Sequence, residues 1–182
     1  MDIKNIVVAI DDFFETPLYI ASGLGEPHSV EFAGDMYHNI IASNNEVDSK
    51  FSSRVYYDTG LTIVPKLAFF RYEPPNSEPT HWIHADNSVA EYTGIVYLSD
   101  RHDGGTALWN HKIAGRRNNK PEYHQWLGAD ENDESRWQLT DLIGTSYNRC
   151  VLFSGDRFHS KFPRLNLEQR LTYVCFFDIP NS

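Results

Sequence analysis

Apolar and polar positions alternate in short runs through the last two thirds of the chain. After Gly60 come segments such as "LTIVPKLAFFRY", "YTGIVYLSD" and "RLTYVCFFDIP", which are rich in β-branched and aromatic residues. Turn-forming stretches such as "EPPNSEP", "DRHDGG" and "PRLNLEQ" separate them. Short strands divided by turns, with few helices between them, are typical of antiparallel sandwiches and jelly rolls. The pattern therefore predicts a mainly β protein with a jelly-roll core over about residues 60–180.

The first 60 residues have a different pattern. "IVVAI" predicts a short strand, and "FFETPLYIASGLG" has helical spacing that ends at Gly23 and Gly25. "MYHNIIAS" predicts another strand, whereas "NNEVDSKFSSRVYY" is compatible with a helix or with an irregular packing segment. We therefore expect an N-terminal strand–helix element and flanking helices beside the β core.

One long connection, residues 112–146, interrupts the β pattern. Short helices are predicted in it at "PEYHQWLG" and "DESRWQLTDLIG". Long connections in compact domains are usually functional or mobile, so we interpret this insertion as a lid or rim, which either selects the substrate or is a packed rim that merely closes the end of the barrel. Its basic start, with Arg116 and Arg117, is either a clamp for an anionic or acidic substrate or a solvated loop of mixed charge.

Length, composition and charge narrow the class of protein. The chain has 182 residues, 41% of them hydrophobic, which suits a single domain spanning residues 1–182. A formal net charge of −9 would repel a phosphate backbone and argues against a nucleic-acid partner. No apolar run is long enough to cross a membrane and no secretory signal is recognisable, so we expect a soluble cytoplasmic protein. The cysteines, Cys150 and Cys175, lie in apolar runs and are expected to be buried free thiols.

The stretch "THWIHADNS" carries the first candidate chemistry. Side chains two apart on a strand share a face, so His84 and Asp86 can converge on one point, whereas His81 has the other parity. A third ligand is available in "LFSGDRFHSKFP", where His159 follows a strand and a tight turn. Two histidines and one carboxylate form a facial triad that leaves about three open positions on octahedral Fe(II).

The strand "EQRLTYVCFFD" adds a candidate anion site. Arg170 and Thr172 share one face of this strand with apolar residues. A guanidinium buried on such a face needs an anion, which is either the far carboxylate of a dicarboxylate ligand or an Asp or Glu in a structural ion pair.

The order "RY…HAD…YLSD…GGTALW…H…RLT" resembles that of the Fe(II)- and 2-oxoglutarate-dependent dioxygenases, most closely the prolyl-4-hydroxylase-like branch. The resemblance covers Leu67 to Asp178 and implies a double-stranded β-helix, the cupin-like form of the jelly roll. It also implies that His84, Asp86 and His159 bind iron.

The same resemblance implies roles for other residues. Arg170 and Thr172 would bind the C5 carboxylate of 2-oxoglutarate, and Tyr72 matches a tyrosine that contacts this carboxylate in similar enzymes. Gly104 and Gly105 match a paired-glycine turn with a structural role. Trp82, Trp109 and Arg116 are candidates for the substrate pocket, although aromatic residues on strands more often belong to the core.

The implied reaction consumes 2-oxoglutarate and O2, releases succinate and CO2, and by default hydroxylates a C–H bond of a small-molecule or peptide substrate. Two other classes stay open. One is a non-catalytic jelly-roll module that binds a small acid or a partner and retains the metal and acid pocket. The other is a cupin-like metal enzyme without a cosubstrate, which would have no need for Arg170 and Thr172.

Overall fold

The computed structural model describes residues 3–32, 35–79, 82–100, 104–118, 120 and 124–180. Ten strands lie within these ranges: β1 (Val8–Ile10), β2 (His28–Phe32), β3 (Asp35–Ala42), β4 (Val64–Glu73), β5 (Tyr92–Tyr97), β6 (Gly105–His111), β7 (Trp137–Gly144), β8 (Cys150–Ser154), β9 (His159–Phe162) and β10 (Arg170–Asp178). The helices are α1 (Pro17–Ser22), α2 (Asn45–Thr59) and α3 (His124–Asp130), with a 3₁₀ turn at Glu134–Arg136.

The strands form two antiparallel sheets. The large sheet has seven strands in the order β1-β8-β5-β10-β4-β3-β2, and the small sheet has the order β7-β6-β9. A cavity of about 400 Å³ is lined by residues of both sheets, including Arg71 and Thr172 from the large one and Thr106 and His159 from the small one. This mainly β architecture of facing antiparallel sheets confirms the predicted fold class.

Helix α2 covers the outer face of the large sheet. Its N-terminus is capped by Asn44, whose side chain accepts from the backbone N–H of Val47 at 3.0 Å, and it ends at Gly60 in the left-handed region at φ 75°. Phe51, one turn after Val47, is fully buried against the sheet. The segment "NNEVDSKFSSRVYY" is therefore a regular helix that seals one side of the core.

The insertion differs from its prediction. The first predicted helix is present as α3, but "DESRWQLTDLIG" forms a 3₁₀ turn followed by β7. β7 pairs with β6 along its whole length, with Gly105 opposite Gly144 and His111 opposite Trp137. The helical interpretation was wrong because the apolar positions are met by strand pairing, and propensity is easily overridden by tertiary contacts. The second half of the insertion is thus the edge of the small sheet and not a separate lid.

The paired glycines have the predicted structural role. Gly104 and Gly105 have φ of 86° and 151°, which side chains rarely adopt. A Cβ on Gly104 would lie 2.1 Å from the carbonyl oxygen of Phe162, and one on Gly105 would lie 1.9 Å from that of Ile143. Because β6 is flanked by β7 and β9 at this point, only glycine allows both neighbours to approach.

Two smaller expectations concern the cysteines and the helices. Cys150 and Cys175 are buried free thiols, as predicted, and burial raises the pKa of Cys175 to about 12. Among the helices of the described ranges, none has the length and apolar character needed to cross a membrane.

Candidate metal centre

His84 and His159 are held opposite each other by backbone hydrogen bonds. The N–H of His84 donates to the carbonyl of His159 at 3.0 Å, and the N–H of His159 donates back at 2.9 Å. The strand predicted over "THWIHAD" is reduced to this single bridge at His84, and His81 lies outside the described residues. The backbone N–H of Asp86 donates to the carbonyl of Gly155 at 2.6 Å, which fixes this irregular segment beside the turn before β9.

The three side chains converge as the sequence predicted. One donor atom from each of His84, Asp86 and His159 lies within 4.8 Å of the other two. Asp86 Oδ2 is 3.1 Å from His159 Nε2, and Asp86 Oδ1 is 3.7 Å from His84 Nε2. Two imidazole nitrogens and one carboxylate oxygen at these separations can share one metal ion, and this donor set suits Fe(II).

Neighbouring groups orient all three side chains. Nδ1 of His84 is 3.2 Å from the carbonyl oxygen of Trp82, and Nδ1 of His159 is 2.9 Å from that of Arg157. Each Nδ1 therefore carries the proton, which leaves the lone pair of Nε2 directed toward the centre. The hydroxyl of Thr93 donates to Asp86 Oδ2 at 2.7 Å. Such contacts hold metal ligands in place before the ion binds.

The protonation states also suit a cation. Burial, together with the neighbouring His159, lowers the pKa of His84 to about 4. Burial opposes the ionisation of Asp86, but His159, His84 and the Thr93 hydroxyl outweigh it and lower the pKa of Asp86 to about 2. Burial also acts against the charged form of His159, yet the Asp86 carboxylate raises its pKa. A divalent ion bound by His84 and His159 would replace the proton of His159 as the positive charge beside Asp86.

Arg170 and Thr172 line the same cavity as the triad. Within the described ranges, the acceptor that Arg170 reaches is Glu73, at 2.9 Å from its Nη1. The structural ion pair that the sequence left open is therefore present. Arg71 and Lys161 also face Glu73, at 3.8 and 3.4 Å from its Oε1, so one end of the cavity is strongly cationic.

Comparison with known proteins identifies the fold. The sequence matches no protein-family model and no curated protein. An oxidoreductase of the 2OG-Fe(II) oxygenase family from Burkholderia pseudomallei superposes with a TM-score of 0.54 at 12% identity, covering 94% of this chain and 84% of its own. HygX from Streptomyces hygroscopicus, solved with iron bound, gives 0.56 at 12% identity, covering 94% and 81%. EctD from S. alaskensis, solved with 2-oxoglutarate and 5-hydroxyectoine, gives 0.55 at 12% identity, covering 94% and 71%. This chain has the jelly-roll fold of the 2-oxoglutarate–Fe(II) oxygenases.

Tyr72 is not brought to the cavity. It lies opposite Leu171 in the pairing of β4 with β10, whereas Arg170 lies opposite Glu73. Neighbouring residues of a strand point to opposite faces, so Tyr72 packs toward the outer core, and its hydroxyl donates to Gln169 at 3.4 Å. Tyr72 is therefore not among the residues that line the cavity, where its contact with the cosubstrate was expected.

The three candidates for substrate contact have different locations. Trp82 lines the cavity, donates from its ring nitrogen to the carbonyl of Lys161 at 3.1 Å, and lies under the guanidinium of Arg164. Trp109 is buried beneath it and donates to Ser160 at 2.9 Å, so it is a core residue. Arg116 is exposed and does not line the cavity. Of these three residues, only Trp82 lines the cavity.

Sequence reasoning missed four residues of the site: Arg71, Glu73, Thr93 and Lys161. Lys161 had a readable signal, because it follows His159 by two positions on β9 and so shares its face. Arg71 and Glu73 also share a face of β4, but nothing in the sequence pairs that face with Arg170. The register between β4 and β10, which places them together, is a tertiary property.

Proposed function

We propose that this protein is an Fe(II)- and 2-oxoglutarate-dependent dioxygenase of the prolyl-4-hydroxylase-like branch, which hydroxylates a small-molecule or peptide substrate. The observation that carries the proposal is the convergence of His84, Asp86 and His159 in a cavity whose other end holds the guanidinium of Arg170. A metal triad alone would suit many enzymes, whereas a triad facing a buried cationic end suits a metal-chelating dicarboxylate.

His84 and His159 would hold Fe(II) through Nε2, and Asp86 through its carboxylate. Bound there, Fe(II) and 2-oxoglutarate supply O2 activation coupled to oxidative decarboxylation, in which one oxygen atom enters succinate and the other enters a C–H bond of the substrate. Because Asp86 fills the third protein position, no ligand position is vacated for a halide, so hydroxylation is favoured over halogenation.

The remaining residues position and protect the reactants. Arg170 would bind the far carboxylate of 2-oxoglutarate, and the buried hydroxyl of Thr172, on the same strand face, would donate to it. Phe69, Val174 and Phe176 form an apolar wall of the cavity. Such a wall excludes water from the reacting atoms.

Substrate selection is assigned to the insertion and to Trp82. Among the described residues of the insertion, Asn118 and Glu131 line the cavity. Asn118 is tied to Asn87 by two hydrogen bonds, at 2.8 and 3.2 Å, so its position relative to the metal centre is fixed. Because β7 belongs to the small sheet, the region available for specificity is residues 112–136 and not the whole of 112–146.

We also propose a cytoplasmic location. Both cysteines are free, as is usual for proteins of a reducing compartment. Thiol counting in denaturant without reductant should find two free groups in freshly purified protein, and a disulfide would contradict this assignment.

The function is tested by loading the protein with Fe(II) without oxygen, adding 2-oxoglutarate, and following succinate formation after O2 is admitted. We expect 2-oxoglutarate to bind and to decay slowly to succinate even without the true substrate, and we expect His84→Ala to lose this decay. A non-catalytic module would bind 2-oxoglutarate without consuming it. A cupin-like enzyme without a cosubstrate would bind the metal but not 2-oxoglutarate.

A further inference from the structure

Among the described residues, Glu73 is the carboxylate that contacts the three cations at one end of the cavity. It lies directly opposite Arg170 in the register of β4 and β10, with both side chains on the inner face of the sheet. Its Oε2 accepts from Arg170 Nη1 at 2.9 Å, and its Oε1 is 3.4 Å from Lys161 Nζ. A carboxylate of the protein thus already lies on the guanidinium that a dicarboxylate ligand would need.

The charges at this end do not balance. The side chains of Glu73 and Lys161 are each 7% exposed and that of Arg170 is 11% exposed, whereas Arg71 at the edge is 36% exposed. Although burial opposes ionisation of Glu73, the cations around it lower its pKa to about 2, so it is a carboxylate at neutral pH. Two enclosed cations against one carboxylate leave one positive charge uncompensated, which a single incoming carboxylate would neutralise.

Arg170 offers an incoming carboxylate only one edge. Its Nε is enclosed by protein and reaches no hydrogen-bond partner among the described residues. A carboxylate bound through two parallel hydrogen bonds must therefore use the Nη1 and Nη2 edge, and Nη1 already donates to Glu73. Two carboxylates on one nitrogen repel each other, so Glu73 and the ligand compete for Arg170.

Glu73 has other partners to which it can turn. Lys161 is anchored by donation to the carbonyl of Ser77 at 3.1 Å and to Asn166 Oδ1 at 3.0 Å, and it stays beside Glu73 Oε1. Arg71 Nε lies 3.8 Å from the same oxygen. Glu73 can therefore release Arg170 without becoming an unpaired buried charge.

We propose that Glu73 is a specificity-determining residue that competes with the cosubstrate for Arg170. It occupies Arg170 in the free protein and yields it when a 2-oxo dicarboxylate binds. A 2-oxo monocarboxylate has no second carboxylate and leaves the Glu73–Arg170 pair intact. Glu73 thereby weakens the binding of 2-oxoglutarate. Because monocarboxylates are not affected, Glu73 reduces the difference in affinity between dicarboxylates and monocarboxylates. This inference rests on the proposed function.

The test is anaerobic calorimetric titration of 2-oxoglutarate and of 2-oxobutyrate into the Fe(II)-loaded wild type and Glu73→Gln. The glutamine keeps the shape and an acceptor oxygen but removes the competing charge. We expect 2-oxoglutarate to bind about tenfold more tightly to Glu73→Gln, in keeping with the cost of like charges at an interface. The affinity for 2-oxobutyrate should not change.

Two further variants make the result decisive. Glu46→Gln removes one negative charge from an exposed i,i+4 pair with Lys50 and should leave both affinities unchanged. Glu73→Asp withdraws the carboxylate from Arg170 and should tighten 2-oxoglutarate binding to a smaller extent, which decides the matter if Glu73→Gln does not fold.

Equal or weaker binding of 2-oxoglutarate by the Glu73 variants would overturn the inference, because it would make Glu73 a structural partner that orients Arg170. Failure of the wild type itself to bind 2-oxoglutarate would overturn the proposed function, and this inference with it.

Discussion

The two faces of β10 differ in what their side chains contact. On the outer face, Tyr173, Cys175 and Phe177 pack into the largest hydrophobic cluster beneath α2. On the inner face, Arg170 and Thr172 meet the cavity, which they share with the metal-binding candidates. The same strand therefore stabilises the fold with one face and presents charge and polarity with the other.

The two faces differ in how far the protein itself supplies contact partners for their side chains. The outer face is closed by aromatic contacts, such as the rings of Phe51 and Tyr173 at 5.3 Å. The inner face carries Arg170, which is paired with Glu73, and it faces the cavity in which His84, Asp86 and His159 converge. A face that the protein leaves incompletely satisfied is where ligands are to be expected, so substitutions on the two faces should have separable effects.

The largest effect is expected from Asp86→Asn on the inner side. It removes the anionic ligand and leaves His84 and His159 without the charge that draws a cation, so iron content should fall to background. Metal analysis after anaerobic reconstitution measures this. Asp141→Asn, at an exposed carboxylate, is the control and should bind iron like the wild type. Full occupancy in Asp86→Asn would remove Asp86 from the ligand set.

On the outer side, Phe51→Ala should reduce the free energy of unfolding by about 3–5 kcal/mol, as is usual for a buried phenylalanine. Phe51 is fully buried and contacts the rings of Phe13, Tyr173 and Phe177. Denaturant unfolding measures the loss, and Tyr57→Ala on the exposed side of α2 should cost almost nothing. The folded Phe51 variant should still bind iron; loss of iron binding would mean that the two faces are not separable.

Arg170→Ala should weaken 2-oxoglutarate binding by about 2–5 kcal/mol, as for truncation of one partner of a buried charge pair. Iron binding should be unchanged, because Arg170 does not contact the triad. Calorimetric titration of 2-oxoglutarate, with metal analysis of the same samples, tests both statements. Equal affinity in a folded variant would assign Arg170 to a purely structural pair with Glu73.

Acid should weaken the contribution of Glu73 to stability. Its folded-state pKa of about 2 lies below the ordinary value of 4.5, so the folded state binds fewer protons at this group than the unfolded state. The contribution is complete above pH 4.5 and is lost as the pH falls toward 2. The stability difference between the wild type and Glu73→Gln should therefore narrow over this range in denaturant unfolding. A difference independent of pH would mean that the pKa of Glu73 is the same in the folded and the unfolded protein.

The smallest effect is expected from Thr93→Val, which keeps the shape and removes the hydroxyl that donates to Asp86. Loss of such an orienting contact typically weakens metal binding by about tenfold. Competition with a chelator measures the affinity. Thr140→Val, which removes a hydroxyl bonded to the carbonyl of Leu108 in the small sheet, is a matched control and should have no effect on iron.

The sequence predicted those parts of the molecule that depend on local pattern. Alternation in β10 correctly placed Arg170 and Thr172 on one face, and the distal His159 was correctly joined to His84 and Asp86. Tyr72 was assigned to the cavity from the order of motifs along the chain, and that order carries no information about which face of the strand a side chain occupies. The helix expected in the second half of the insertion failed because pairing with β6 decided its structure. Glu73 was missed because only the register between β4 and β10 places it opposite Arg170. Lys161 was missed as a partner of this end of the cavity because it lies on β9 of the other sheet, although its spacing from His159 could have indicated a shared face.

The most direct test of the account is a crystal structure of the protein with Mn(II), as a redox-inert substitute for Fe(II), and 2-oxoglutarate. The account predicts one metal ion bound by His84 Nε2, Asp86 and His159 Nε2. It also predicts the far carboxylate of 2-oxoglutarate on Arg170, with Glu73 turned toward Lys161. A metal ion bound elsewhere, or a cavity that excludes 2-oxoglutarate while Glu73 stays on Arg170, would contradict it.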